Sequence, residues 1–181
     1  MLAAGIVFAA LPPIAGEGGC GIAHPYAISR LAGPVDLSPA ITVRCETALA
    51  LADWLAKAAG PFAEALPGSP KLVRIDTASS YVCRGRNNDP QAKLSEHARG
   101  TAIDISGLRF SDGTRIAIEP RQRTGDVTEG YQKAVRFAAC LHFTTVLGPG
   151  SDPNHNDHLH LDLAERRGGY RLCDFPEGSD E

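Results

Sequence analysis

Thr101-Ala102-Ile103-Asp104-Ile105-Ser106-Gly107-Leu108-Arg109-Phe110 is the stretch on which the fold turns. Its first half alternates: Thr101, Ile103 and Ile105 fall on one face of an extended chain, and Ala102, Asp104 and Ser106 on the other. Ser111-Asp112-Gly113-Thr114 then makes a hairpin turn into a second strand over 115–118. A similar two-residue period returns over 158–163, after a loop over 148–156. There His158, His160 and Asp162 share one face, and Leu159, Leu161 and Leu163 share the face that points into a core.

Outward from these strands, Leu72-Val73-Arg74-Ile75 opens another, and the polar stretch 77–93 reads as a loop carrying Cys83, Arg84 and Arg86. Residues 25–37 have no clear period. Ser38-Pro39 has the form of an N-cap followed by proline at the first helical position. Ile41, Cys45, Leu49, Leu51, Ala52, Leu55 and Ala59 follow at helical spacing, so a long amphipathic helix is expected over 39–59, with Trp54 anchoring it to the sheet. A short helical turn over 61–66 ends at Pro67-Gly68-Ser69-Pro70. A second helix capped by Thr128 would carry Tyr131, Ala134, Val135, Phe137, Ala138 and Leu141 as its apolar residues, before a short strand over 144–147. Gly5-Ile6-Val7-Phe8 reads as a first strand. Strands and helices do not alternate regularly and at least one hairpin is local. The expected class is therefore α+β, a largely antiparallel sheet with helices on one side, as one domain over 1–176 with an acidic tail over 177–181.

The 181 residues carry 43% hydrophobic and 22% charged side chains, ordinary for a globular chain. A net charge of −3 and no basic run leave no footprint for nucleic acid or an anionic membrane, and a monomer is expected. The first eleven residues are apolar but too short to span a bilayer and lack a leading Lys or Arg, so they make a poorly formed export signal. The sequence Gly-Glu-Gly-Gly before Cys20 is a weak lipobox. Five scattered cysteines, Cys20, Cys45, Cys83, Cys140 and Cys173, contain no CxxC pair. They suit disulfides in an oxidising compartment with one thiol left over, the alternative being buried reduced thiols.

Six histidines are present, and four lie in two short segments, Ser95-Glu96-His97-Ala98-Arg99-Gly100-Thr101-Ala102-Ile103-Asp104 and His155-Asn156-Asp157-His158-Leu159-His160-Leu161-Asp162. Pairing the two strands would bring Asp104 beside His160, with His97 descending from the preceding loop and Gly100 permitting the sharp chain path. Two imidazoles and a carboxylate suit zinc, and three protein ligands leave a fourth position open, as in a catalytic site. Such a site needs a base near an attacking water and a cation for the oxyanion. Each residue also has a plain structural alternative. The HxH can be a surface pair, Asp157 and Asp162 solvated strand-end carboxylates, and Arg84 and Arg86 surface charges. His24 and His142 receive no role. Leu147-Gly148-Pro149-Gly150 is a turn and not a phosphate loop.

The run Ser95-x-His97-x-x-Gly100-x-Ala102-x-Asp104 resembles the SxHxxGxAxD signature of zinc D-Ala-D-Ala peptidases and LAS-type murein peptidases. His155-x-x-His158-x-His160 resembles the second motif of the penicillin-insensitive murein endopeptidase and the zinc DD-carboxypeptidase branch. From about Gly5 to Cys173 the chain resembles the bacterial extensin-like C-terminal domain. The shared text includes Gly19-Cys20-Gly21-Ile22-Ala23, Ser80-Tyr81-x-Cys83-Arg84 and Thr145-Val146-Leu147-Gly148-Pro149-Gly150. The resemblance implies a hedgehog/DD-peptidase-like domain in the bacterial periplasm or envelope that hydrolyses an amide in peptidoglycan or muropeptides. It places His97, Asp104 and His160 on the zinc ligands. It gives His158 first and His155 second as base, with Asp157 a remote third, and sets Arg84 against the oxyanion or substrate. Ser95 and Asp157 are further substrate-side candidates. A departure is that His155 stands where the vancomycin-resistance dipeptidases carry a glutamate base. Two rivals are a non-catalytic cell-wall binding module that keeps the groove and metal, and a purely structural metal domain.

Overall fold

The computed structural model of the chain describes residues 1, 4–121 and 125–174. The upper domain boundary at 176 and the acidic tail lie outside them. In chain order the strands are β1 (Val7–Ala10), β2 (Ile14–Ala15), β3 (Gly21–Ile22), β4 (Tyr26–Leu31), β5 (Val35–Val43), β6 (Leu72–Ser79), β7 (Ala102–Phe110), β8 (Arg115–Ala117), β9 (Thr145–Leu147), β10 (Leu159–Asp162) and β11 (Leu172–Cys173). The helices are α1 (Cys45–Trp54), α2 (Gly60–Ala63) and α3 (Val127–Ala139). Among the described residues nine strands form one sheet, ordered β1-β4-β5-β6-β7-β10-β9-β11 with β8 also on β7, while β2 and β3 pair separately.

The architecture is α+β and the sheet is largely antiparallel, as its sequence pattern predicts. Two neighbours are parallel, β5 with β6 and β9 with β11. The first of these needs a long crossover, and the helical segment from α1 to α2 supplies it. The predicted hairpin forms, with Leu108 opposite Ile116. One face of the sheet buries Ile41, Val43, Ile75, Ile103, Ile105, Leu159 and Leu161 in a core shared with Leu51, Trp54, Tyr131 and Val135 of the helical segments. Because side chains alternate, Asp104 and His160 are left on the opposite face.

Several expectations are corrected. Pro39 does not open a helix: it lies inside β5, and the first helix begins at Cys45. Pro39 falls where the β4–β5 register shifts, between the Ile28↔Ile41 and Arg30↔Asp36 pairs. It also lies just past the last β5–β6 pair, Ser38↔Asp76, so the missing N–H interrupts no ladder there. The helical spacing from Ile41 was misleading because Ile41 and Val43, two apart, serve a strand equally well. Trp54, buried in the core shared with the sheet, also donates its indole N–H to the Val135 carbonyl at 2.9 Å and so ties α1 to α3. Between α1 and α2 the backbone relaxes into a π-turn at Leu55–Ala59, where the Gly60 N–H reaches the Leu55 carbonyl; Pro61 follows and has no donor to continue an α ladder. Asp126, not Thr128, caps α3, its carboxylate accepting from the Glu129 N–H. Phe137 and Leu141 are 55% and 78% exposed and take no part in the core.

Four cysteines form disulfides, Cys20–Cys83 and Cys140–Cys173, and Cys45 remains a thiol. Closing 63- and 33-residue separations constrains the unfolded chain by about 4 kcal/mol each on the loop-entropy view. Among the described residues no helix is long and apolar enough to cross a membrane.

Candidate metal centre

The register of β10 against β7 sets Asp104 directly opposite His160. Cross-strand partners share a face at close range, so carboxylate and imidazole meet without any loop having to position them. His97 comes from a 3-10 turn, Glu96–Arg99. Ser95 caps that turn by accepting from the His97 N–H, and Gly100 ends it in the left-handed region at φ 68. A side chain on Gly100 would collide with Ile22, its Cβ falling 2.3 Å from Cδ1, so the tight return into β7 excludes larger residues.

The three groups converge. His97 Nε2 lies 3.1 Å from Asp104 Oδ2 and 3.2 Å from His160 Nδ1, and His160 Nδ1 lies 2.9 Å from Asp104 Oδ1. Bonds of about 2.0–2.1 Å to a four-coordinate zinc put neighbouring ligand atoms about 3.3 Å apart, within a few tenths of these separations. His97 is 1% exposed and Asp104 4%, so water does not screen the trio.

The outer nitrogens decide what sits between the inner ones. His97 Nδ1–H donates to the Ser80 carbonyl at 2.6 Å, and His160 Nε2–H donates to the Asp162 carboxylate at 3.0 Å. Each neutral ring therefore turns a lone pair inward, toward Asp104. Three acceptors facing one another repel unless a cation lies among them. Without a metal, a proton takes that place. Burial opposes a charge on His160, but hydrogen bonds to Asp104 and Asp162 outweigh it and push its pKa up to about 9. Burial likewise opposes charge on Asp104, yet the two imidazoles hold its carboxyl far below the usual carboxylate range. Among the described residues, His97, Asp104 and His160 form the group whose atoms could hold a metal ion.

The second pair of histidines borders this centre. The His155 ring lies 5.2 Å from that of His158 and 5.7 Å from that of His160. Asp152 Oδ2 accepts from His155 Nδ1–H at 2.8 Å, and Asp157 Oδ1 from His158 Nδ1–H at 2.8 Å. Among the described residues both rings thus leave Nε2 without a hydrogen-bond partner, and that of His158 lies 3.7 Å from Asp104 Oδ1. Asp157 is itself exposed and orients His158 from outside. Arg84, Ser95, His97, His155 and His160 line one cavity, together with Asp162 and Arg166. Ser95 is buried and committed to its cap, and its N–H donates to the Arg84 carbonyl, tying the arginine loop to the turn that carries His97. Two residues escape the sequence pattern, and a third departs from its plain structural reading. Asp162 is buried behind His160, not solvated; its place on the face of His158 and His160 was the available signal. Asp152 and Arg166 carried none, since loop packing alone brings them in.

The profile of the family described as Extensin-like protein C-terminus matches residues 1–174. The chain belongs to that family. Comparison with curated proteins and with solved structures returned no match. The centre of this extensin-like C-terminal domain is thus read from its own geometry.

Proposed function

We propose that this extensin-like domain is a zinc-dependent hydrolase of amide bonds in peptidoglycan peptides, related to the LAS-type DD-peptidases and working in the periplasm or envelope. The observation that carries the reading is the convergence of three inward lone-pair donors, two imidazoles and a carboxylate, beside an open cavity. The two disulfides suit an oxidising compartment.

His97, Asp104 and His160 would hold the ion. Zinc held there would lower the pKa of a coordinated water toward neutrality and polarise a substrate carbonyl. His158 is the proposed general base. Its Nδ1–H is fixed by Asp157, so Nε2 can accept a proton from an attacking water and return it to the leaving amine. His155, fixed in the same manner by Asp152, is the second candidate. Arg84 opposes the charge that develops on the carbonyl oxygen. A two-histidine, one-carboxylate set also serves non-haem iron(II), and elemental analysis of the purified protein separates the two metals.

Digestion of muropeptides followed by mass spectrometry tests the activity. Wild-type protein should release a product of one defined amide cleavage. A chelator should stop it, and His158→Ala should slow it about 10²–10⁴-fold while the metal stays bound. Full zinc occupancy with every muropeptide left intact would favour a binding module over an enzyme.

A further inference from the structure

Gly107 lies inside β7 with an ordinary extended backbone, so its own conformation does not call for glycine. A neighbour does: a Cβ there would fall 2.8 Å from Nη2 and 3.0 Å from Cζ of Arg115. Through this gap the Arg115 guanidinium crosses β7 from β8 to β6. Its Nε–H donates to Asp76 Oδ2 at 2.7 Å, and its Nη2 donates to the Ser106 carbonyl at 3.3 Å. Arg109 is held to the same carboxylate, its Nε–H reaching Asp76 Oδ1 at 2.8 Å. Both guanidiniums are thus fixed through Nε. Nη1 of Arg115 and both Nη groups of Arg109 meet no partner among the described residues.

Charge is crowded here at a cost to the fold. Arg74, Arg109 and Arg115 are exposed and face one another in register on β6, β7 and β8. Like charges directly opposite destabilise a sheet. Among the described residues Asp76 is the carboxylate that Arg109 and Arg115 meet, and Arg74 meets none. Asp36 is the register partner of Arg74 on β5, but it is paired with Arg30 at 2.6 Å. Three guanidiniums therefore share one carboxylate, in a chain whose net charge is −3. Each strand supplies a single arginine, so no basic run shows in the sequence. The β6–β7 register shifts between Ile105 and Leu108, which lets both reach the core and leaves Gly107 and Arg109 on the open face of the sheet.

We propose that Arg74, Arg109 and Arg115 form a binding site for a phosphate monoester on this open face, with Asp76 and Gly107 positioning the two fixed guanidiniums. At neutral pH such a group brings roughly two negative charges and three acceptor oxygens. That balances three arginines and one aspartate, where a carboxylate brings a single charge. Guanidinium planes present paired N–H groups that phosphate oxygens accept together. The phosphate can be that of a soluble ligand or of a lipid headgroup. The site stands apart from the metal centre and does not rest on the hydrolase reading.

Two-dimensional nitrogen–proton NMR of the purified full chain, titrated with inorganic phosphate and separately with acetate, reads affinity and location together. Phosphate should bind saturably, about tenfold or more tightly than acetate, and should shift the Gly107 amide and the Arg109 and Arg115 Nε–H signals. Arg115→Gln should weaken phosphate about tenfold. Gly107→Ala, whose Cβ pushes aside the end of a flexible side chain, should do the same without lowering the melting temperature or zinc binding. A second arm sediments the protein with phosphatidylcholine vesicles, with and without phosphatidic acid. Wild-type protein that pellets only with phosphatidic acid, beside Gly107→Ala protein that stays in solution, assigns the phosphate to a lipid headgroup. Phosphate binding without vesicle binding assigns it to a soluble ligand. Phosphate bound no better than acetate, shifts confined to residues of the metal-centre cavity such as Thr145 and Leu147, or an affinity that survives both substitutions overturns the site.

Discussion

Asp104→Asn should leave the protein unable to retain zinc and should cost the metal-free fold about 3–5 kcal/mol at neutral pH. The substitution keeps the shape and removes the charge. Two buried imidazoles then face a neutral amide, and the proton on His160 loses one of the two carboxylates that hold it there. The pH dependence has a definite sign. A carboxyl whose pKa is depressed by folding stabilises above its unfolded value near 3.8, and the contribution fades as pH falls below it. The gap between wild type and variant, measured by chemical denaturation in chelator, should therefore be full at pH 7 and narrow below about pH 4. A variant that binds stoichiometric zinc, or one as stable as wild type at pH 7, would show that Asp104 is not the charge at the heart of the centre.

Gly100→Ala is the second large effect. The residue turns the chain from the His97 helix into β7 with φ 68, and an added Cβ lands 2.3 Å from Ile22 Cδ1. The left-handed backbone costs a non-glycine residue about 1–2 kcal/mol, and forcing Ile22 aside adds about 1–3 kcal/mol. A total of about 2–5 kcal/mol corresponds to a melting temperature lower by roughly 4–20 °C in a chain of this length. The strain should also displace His97 and weaken zinc binding. Gly113→Ala is the control: its φ is 87, but nothing lies within 4 Å of the added carbon, so it should cost about 1–2 kcal/mol and leave zinc binding alone. Equal losses at the two positions would mean that the contact with Ile22 is not what makes Gly100 necessary.

The juxtaposition of Asp104 and His160 was legible for a reason particular to sheets. Asp104 and His160 each sit among aliphatic residues at a two-residue period, and such a period survives any tertiary context that buries one face. Any pairing of β7 with β10 that keeps Ile103, Ile105, Leu159 and Leu161 on one face puts Asp104 and His160 together on the other, and the register adopted sets them directly opposite each other. Gly100 marked the turn that returns His97. What escaped lay where local signals conflict. Ser38-Pro39 carries a helix-start pattern, yet long-range pairing with β4 and β6 holds it extended, and a proline at a register shift does not betray itself in sequence. Thr128 reads as the cap of α3 in the sequence, but Asp126, whose carboxylate reaches the Glu129 N–H, is the residue that caps it. Asp152, Arg166 and the Ser80 carbonyl reach the site through loops without a period. Family membership adds the likeness of the whole chain over 1–174, while the partners that fix each ring nitrogen come from coordinates.

Those partners supply the sharpest test. Zinc titrated by calorimetry into chelator-treated protein at pH 7.5, in buffers of differing ionisation enthalpy, reads stoichiometry and proton release together. Ions seated among His97, Asp104 and His160 must expel the proton that His160 otherwise holds at this pH, and a metal-bound water ionising near neutrality would add a second, so one zinc per chain and roughly one to two protons released are expected. No saturable binding, or binding that releases no proton and persists in Asp104→Asn, would contradict it.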